Sequence, residues 1–124
     1  MKLAPRRFEA LVTRALDGIP KLIAEHMNNI DVVIEDWPTR QQYDDLGLEP
    51  DEWLFGLYEG TPLLERGITA DPLLPDKITI FKGPLEAACE TEEQIADEVR
   101  RTVVHEIAHH FGIDEDRLRD LGYD

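Results

Sequence analysis

Near the end of the chain, the stretch EEQIADEVRRTVVHEIAHHF sets an apolar side chain at every fourth position: Ile95, Val99, Val103, Ile107 and Phe111. That spacing lays a stripe along one side of a helix, and the stripe has to face a core. Both ends are marked. Thr91 followed by Gln94 is a capping-box pair, and Glu92 and Glu93 lie in the first turn, where the helix dipole favours acid. Gly112 stands where a left-handed residue would stop the helix. One continuous helix of about 20 residues and about 30 Å is predicted. The rest of the chain must cover one side of this rod.

Residues 6–17, RRFEALVTRALD, place Phe8, Leu11, Val12, Ala15 and Leu16 at helical spacing. Gly18 ends that helix, and Pro20 suits the first turn of a short second one, PKLIAEHM. NIDVVIEDW is rich in β-branched residues and reads as a buried strand. The stretch from Pro38 to Asp51 is polar, with scattered Gly and Pro, and reads as a long loop. EWLFGLYEG and DKITIFKG read as two further strands. The first is interrupted by Gly56 and closed by Gly60; the second alternates Ile78 and Ile80 against Thr79 and Phe81. A Pro-rich connection, TPLLERGITADPLLPD, joins them. A last short helix is expected from Glu115 to Leu121 with Asp114 as its N-cap. The expected fold class is α+β: helices packed on one face of a three- to four-stranded mixed sheet, with the long helix in the core layer. So small a sheet leaves an open edge, which a second copy commonly covers, so a homodimer is expected.

At 124 residues the chain has room for one core, so residues 1–124 are expected to form a single domain. No apolar run approaches the roughly 20 residues that span a membrane. The N-terminal stretch is broken by Glu9, Arg14 and Asp17 and reads as a folded amphipathic helix, not a signal peptide. A lone Cys89 excludes a disulfide scaffold and makes the cytoplasm the default compartment. The formal net charge is −14, with 27 acidic residues against 13 basic. Such a field repels phosphate backbones and anionic lipid head groups, so neither nucleic acid nor membrane is an expected partner.

Three of the four histidines fall in the long helix, at His105, His109 and His110. At about 100° per residue, His105 and His109 lie about 200–240° around from Val103, on the side away from the stripe. His110 falls within about 20° of the stripe and reads as a packed or hydrogen-bonded histidine. An i, i+4 pair stands one above the other, close enough for both imidazoles to bind one metal ion. Glu106 directly follows His105, completing H-E-x-x-H as HEIAH. In that arrangement the two histidines hold zinc, and the glutamate accepts a proton from the water the zinc acidifies. The acidic residues that follow, Asp114, Glu115 and Asp116, read as stabilising the start of the last helix.

HEIAHHFGIDEDRLRDLGY resembles the C-terminus of a bacterial family of small, minimal zincin-like metallopeptidases, whose pattern H-E-x-x-H-x-x-G-x-x-D is of the aspartate-zincin type. The resemblance extends over LFGLYEGTPLLER and PDKITIFKGPLE, and more weakly over the N-terminal helices. It implies a backing helix, a short mixed sheet and an active-site helix, without a methionine turn; neither Met1 nor Met27 follows the motif here. It implies Zn2+ held by His105, His109 and a third ligand ten residues after His105, with Glu106 as general base and Gly112 turning the chain back toward the metal. That third position holds Glu115 where the pattern has Asp, and Asp114 and Asp116 flank it. The resemblance also implies a role at the site for Tyr123, as a brace or as a hydrogen-bond donor to an oxyanion. Tyr58 and Glu59 fall on the strand that would face substrate and pair with an extended peptide. The expected function is zinc-dependent hydrolysis of a peptide or protein substrate. The alternative is a non-catalytic module of the same shape that binds peptide, protein or metal.

Overall fold

The computed structural model describes residues 1–60 and 75–123. In chain order the elements are α1 (Pro5–Asp17), α2 (Lys21–Ala24), β1 (Ile30–Glu35), α3 (Arg40–Leu46), β2 (Gly56–Glu59), β3 (Asp76–Phe81), α4 (Lys82–Ala88), α5 (Glu92–Phe111) and α6 (Glu115–Asp120). Together they make an α+β fold in which helices pack on a short three-stranded mixed sheet. Its order is β1-β3-β2. β1 runs parallel to β3, with Val32 opposite Ile78, and β2 runs antiparallel to it, with Tyr58 opposite Ile78 and Gly56 opposite Ile80. As the central strand, β3 is covered on both sides: Ile78, Thr79, Ile80 and Phe81 are all fully buried. The alternation in its sequence is therefore not an inside–outside alternation.

α5 is the rod predicted for residues 92–111, and its ends form as their residues dictate. The Thr91 hydroxyl accepts from the Gln94 N–H at 3.1 Å, and the Gln94 side chain reaches back to the cap. At the far end Gly112 takes a left-handed conformation with φ 70°, which other residues adopt only with strain. α1 packs along α5, burying Phe8, Leu11, Val12 and Ala15 in the core that also holds Ile95, Val99, Val103 and Ile107. Arg7 pairs with Glu92 and Arg14 with Glu93 across the two helices. No described helix is long and apolar enough to cross a membrane.

Four expectations need correction. Phe111, read as the last member of the buried stripe, is 41% exposed. The reason is angular: each i, i+4 step gains about 40°, so over sixteen residues the row winds about 160° around the helix. The buried side follows instead through Val103, Val104, Ile107 and Ala108. Second, the stretch read as a loop from Pro38 to Asp51 contains α3, capped by Thr39 and Gln42 and ended by left-handed Gly47. It buries no residue, so it carries no apolar periodicity to be read. Third, DKITIFKG leaves the sheet after Phe81 and turns directly into α4, which holds Leu85 and Glu86 inside. Fourth, only Gly56–Glu59 of EWLFGLYEG is strand. Most of the Pro-rich connection lies outside the described residues.

Candidate metal and catalytic site

α5 brings three side-chain rows to three different surroundings. The first is the buried row already described. The second, Thr102, Glu106 and His110, lies against β2. A Cβ added to Gly56 would come 2.6 Å from Thr102 Cγ2, the Tyr58 N–H donates to Glu106 Oε1 at 2.9 Å, and a Cβ on Gly60 would come 3.4 Å from His110 Cε1. Both sets of numbers ascend together, so β2 and α5 run in the same direction. The lengths agree: eight helical residues rise about 12 Å, and four strand residues span about 13 Å. Gly56 is needed because a side chain there would collide with the helix.

The third row is Arg101, His105 and His109, turned outward; His109 is exposed and His105 half-buried. His105 Nδ1–H donates to the Arg101 carbonyl at 2.7 Å. That bond fixes the ring and leaves the Nε2 lone pair outward, the arrangement that metal-bound histidines use. The His105 and His109 ring centroids lie 6.5 Å apart with an interplanar angle of 62°. Two imidazoles sharing a zinc at about 2.0–2.1 Å have centroids about 5 Å apart. A rotation of the exposed His109 ring covers the difference.

Among the described residues, no three His, Cys, Asp or Glu side chains come together as a ligand group. The three candidate carboxylates differ in their engagements. Asp114 caps α6, its Oδ1 accepting from the Arg117 N–H at 2.9 Å. Asp116 pairs with Arg119 at 3.1 Å, its side chain 89% exposed. Glu115 is exposed in the first turn of α6, three residues before the fully buried Leu118 and so on a neighbouring side of the helix. The two imidazoles are donors that suit zinc, and among the described residues no carboxylate joins them as a third.

Glu106 is held by a contact the sequence did not reveal. Phe81 N–H donates to the Phe55 carbonyl at 2.9 Å, so the odd-numbered residues of β2 turn their main-chain groups toward β3. Tyr58 consequently directs its N–H away from β3, on the side where no further strand lies among the described residues, and Glu106 meets it there. The Tyr58 side chain is also held: its hydroxyl donates to Asp76 Oδ2 and its ring stacks on His110 at 4.0 Å. Burial first, and the Asp76 bond second, push the phenol above its ordinary pKa, so it remains a donor. His110 also lies 3.8 Å from Asp76. It packs on β2, as expected of a non-ligand, although on the sheet edge rather than in the core. Phe111 stacks on His26 at 4.4 Å beside it.

The Tyr123 N–H donates to the Leu118 carbonyl at 2.8 Å, closing the turn after α6. Tyr123 is half-buried and lines a cavity of about 320 Å³ together with Asp97, Arg100, Arg101, Leu121 and Gly122. That places it one helical turn before His105. Cys89 is buried, and burial pushes its thiol pKa up, so it acts as a packed apolar residue.

Comparison with known proteins adds a family and a fold. A family model described as zincin-like metallopeptidase matches residues 27–123. A solved structure of a conserved hypothetical protein from Thermus thermophilus is similar at 20% identity and a TM-score of 0.61, covering 98% of this chain and 100% of that one. No curated protein matches.

Proposed function

Because the chain belongs to the zincin-like metallopeptidase family over residues 27–123, we propose that it is a zinc-dependent hydrolase of peptide bonds. One observation carries this reading: α5 turns the two histidines of HEIAH outward while an edge strand holds the glutamate between them by a main-chain bond. Merely holding a metal does not require a carboxylate positioned in this way.

His105 and His109 would hold Zn2+. Glu115 is the third ligand we favour, since Asp114 is committed to capping α6 and Asp116 to Arg119. When bound, zinc supplies Lewis-acid polarisation of the scissile carbonyl and of the attacking water. Glu106 accepts that water's proton through Oε2, since Oε1 is occupied by the Tyr58 N–H, and passes it to the leaving amine. An extended peptide lies along the outer side of β2 and bonds through the outward Tyr58 carbonyl, since the Tyr58 N–H is held by Glu106 and the Glu59 main chain faces β3. Tyr123 donates to the developing oxyanion or braces the His105 turn.

The lack of a third ligand among the described residues favours one other reading, a non-catalytic module that binds peptide or protein, with or without metal. Metal analysis of native protein beside His105→Ala and Glu115→Ala, together with turnover of a peptide library, separates the two. Zinc at one equivalent in wild type, its loss in both variants and cleavage by wild type support the hydrolase. Binding of peptide without any cleavage by the zinc-loaded protein supports the module.

A further inference from the structure

The cavity beside Arg101 has a defined relation to the site. Arg101 stands in the same outward row as His105 and His109, one turn earlier. Arg100, in the same cavity, is ion-paired with Asp97. Among the described residues no ion pair engages the exposed guanidinium of Arg101. On a chain of net charge −14 this is an unusual place, two arginines against one aspartate, with Tyr123 completing the wall.

The direction of β2 decides what reaches it. β2 and α5 run the same way, Gly56 at the level of Thr102 and Gly60 at the level of His110. A peptide laid along the outer side of β2, bonding through the outward Tyr58 carbonyl because Glu106 holds the N–H, takes the antiparallel sense, the more stable pairing. It therefore runs from the His110 level to the Thr102 level, and its C-terminal side arrives at Arg101. From the middle of the histidine pair to Arg101 is six residues, about 9 Å along the helix. At about 3.3 Å per residue, an extended peptide covers that in about two or three residues.

We infer that this cavity is a subsite for the free C-terminal carboxylate of a peptide, so that the substrates are peptide ends and the products are fragments of about two or three residues. The inference rests on the peptidase reading for its chemistry, although not for its binding. The Arg101 guanidinium supplies two N–H donors to the carboxylate. An internal segment of a folded protein brings no carboxylate to this point and is a poor substrate.

The test uses one hexapeptide sequence made as the free acid and as the C-terminal amide, each carrying an N-terminal fluorophore. Binding is read by fluorescence anisotropy on zinc-loaded Glu106→Gln, and cleavage by mass spectrometry on the zinc-loaded wild type. The acid is expected to bind about tenfold more tightly than the amide. Adding Arg101→Gln to the Glu106→Gln background is expected to erase that preference, and Arg101→Lys to retain part of it. Equal binding of acid and amide, a preference indifferent to Arg101, or no binding of either peptide would overturn the subsite. Cleavage without acid preference leaves the peptidase reading standing and removes the subsite. Acid preference without cleavage keeps the subsite and removes the peptidase reading.

Discussion

The contact between β2 and α5 can be tested at its tightest point, Gly56. Replacing Gly56 with alanine puts a Cβ 2.6 Å from Thr102 Cγ2 and 3.1 Å from the Thr79 carbonyl oxygen, where ordinary contacts are 3.4–4 Å. Neither neighbour yields easily. Thr102 is β-branched on the helix, and the Thr79 carbonyl belongs to the central strand. The strand and helix must part by up to about an ångström, and overpacking of this kind costs about 1–3 kcal/mol. Alanine restricts the unfolded chain and returns about 0.4–1 kcal/mol. The net expectation is a loss of about 1–2 kcal/mol, or roughly 0.5–1 M in the urea midpoint with an unchanged slope.

Thr102→Ala removes the closer obstruction and leaves the carbonyl in place. The double variant should therefore recover part of the loss, with a coupling of about 1 kcal/mol in a double-mutant cycle. A second readout follows from geometry: the Tyr58 N–H bond to Glu106, two residues along the same strand, should lengthen. Amide hydrogen exchange at Tyr58 should then quicken more than exchange at Ile80. A Gly56→Ala protein as stable as wild type, or one that Thr102→Ala leaves equally impaired, would refute the close registration of strand and helix.

Glu106→Gln should retain zinc, measured by metal analysis, and lose turnover by about 10²–10⁴-fold, whereas His109→Ala should lose both and His110→Ala neither. Glu92 and Glu93 are held below the ordinary carboxylate range by hydrogen bonds from Arg7 and Arg14. Their contribution is complete above the unfolded value of 4.5 and fades as pH falls through the lowered folded values. Any stability gap between wild type and the Arg7→Ala, Arg14→Ala double variant, followed by urea unfolding, should thus be level near neutrality, close in acid and shrink with salt. Sedimentation at rising concentration should reveal a homodimer, and a profile that stays monomeric would remove that expectation.

What could be read from the sequence was local. The capping box at Thr91 and Gln94, the glycine stop and the outward histidine pair all follow from spacing within α5, and the structure reproduces them because helix geometry is the same in every fold. α3 escaped because its residues bury nothing; only the Thr39–Gln42 cap marked it. α4 was hidden by Gly83 and Pro84, which read as the end of a strand although proline is tolerated in a first turn. Phe111 was misplaced by extending an i, i+4 row farther than one buried side reaches. The Tyr58–Glu106 bond and the Arg101 cavity depend on which strand lies beside α5 and in which direction, and spacing within one element does not contain that. A trace was present even so: glycines four apart in GLYEG are what a strand needs to lie against a helix row.

In the proposed hydrolase, that registration also explains why base and ligands occupy neighbouring positions. His105 and Glu106 are adjacent, hence about 100° apart around α5. If β2 covers the Glu106 row, the His105 row turns toward the strand's outer side. In the proposed hydrolase the carboxylate would then reach a bound peptide from the strand side and the imidazoles from the helix side. The bond fixes the Glu106 carboxylate through Oε1, and losing it would leave the Tyr58 N–H unpaired at a cost of about 1–3 kcal/mol. The strand thus orients the glutamate by holding one of its oxygens and leaves Oε2 for the base role we propose. On the same reading, the direction of that strand takes the peptide's C-terminal end toward Arg101.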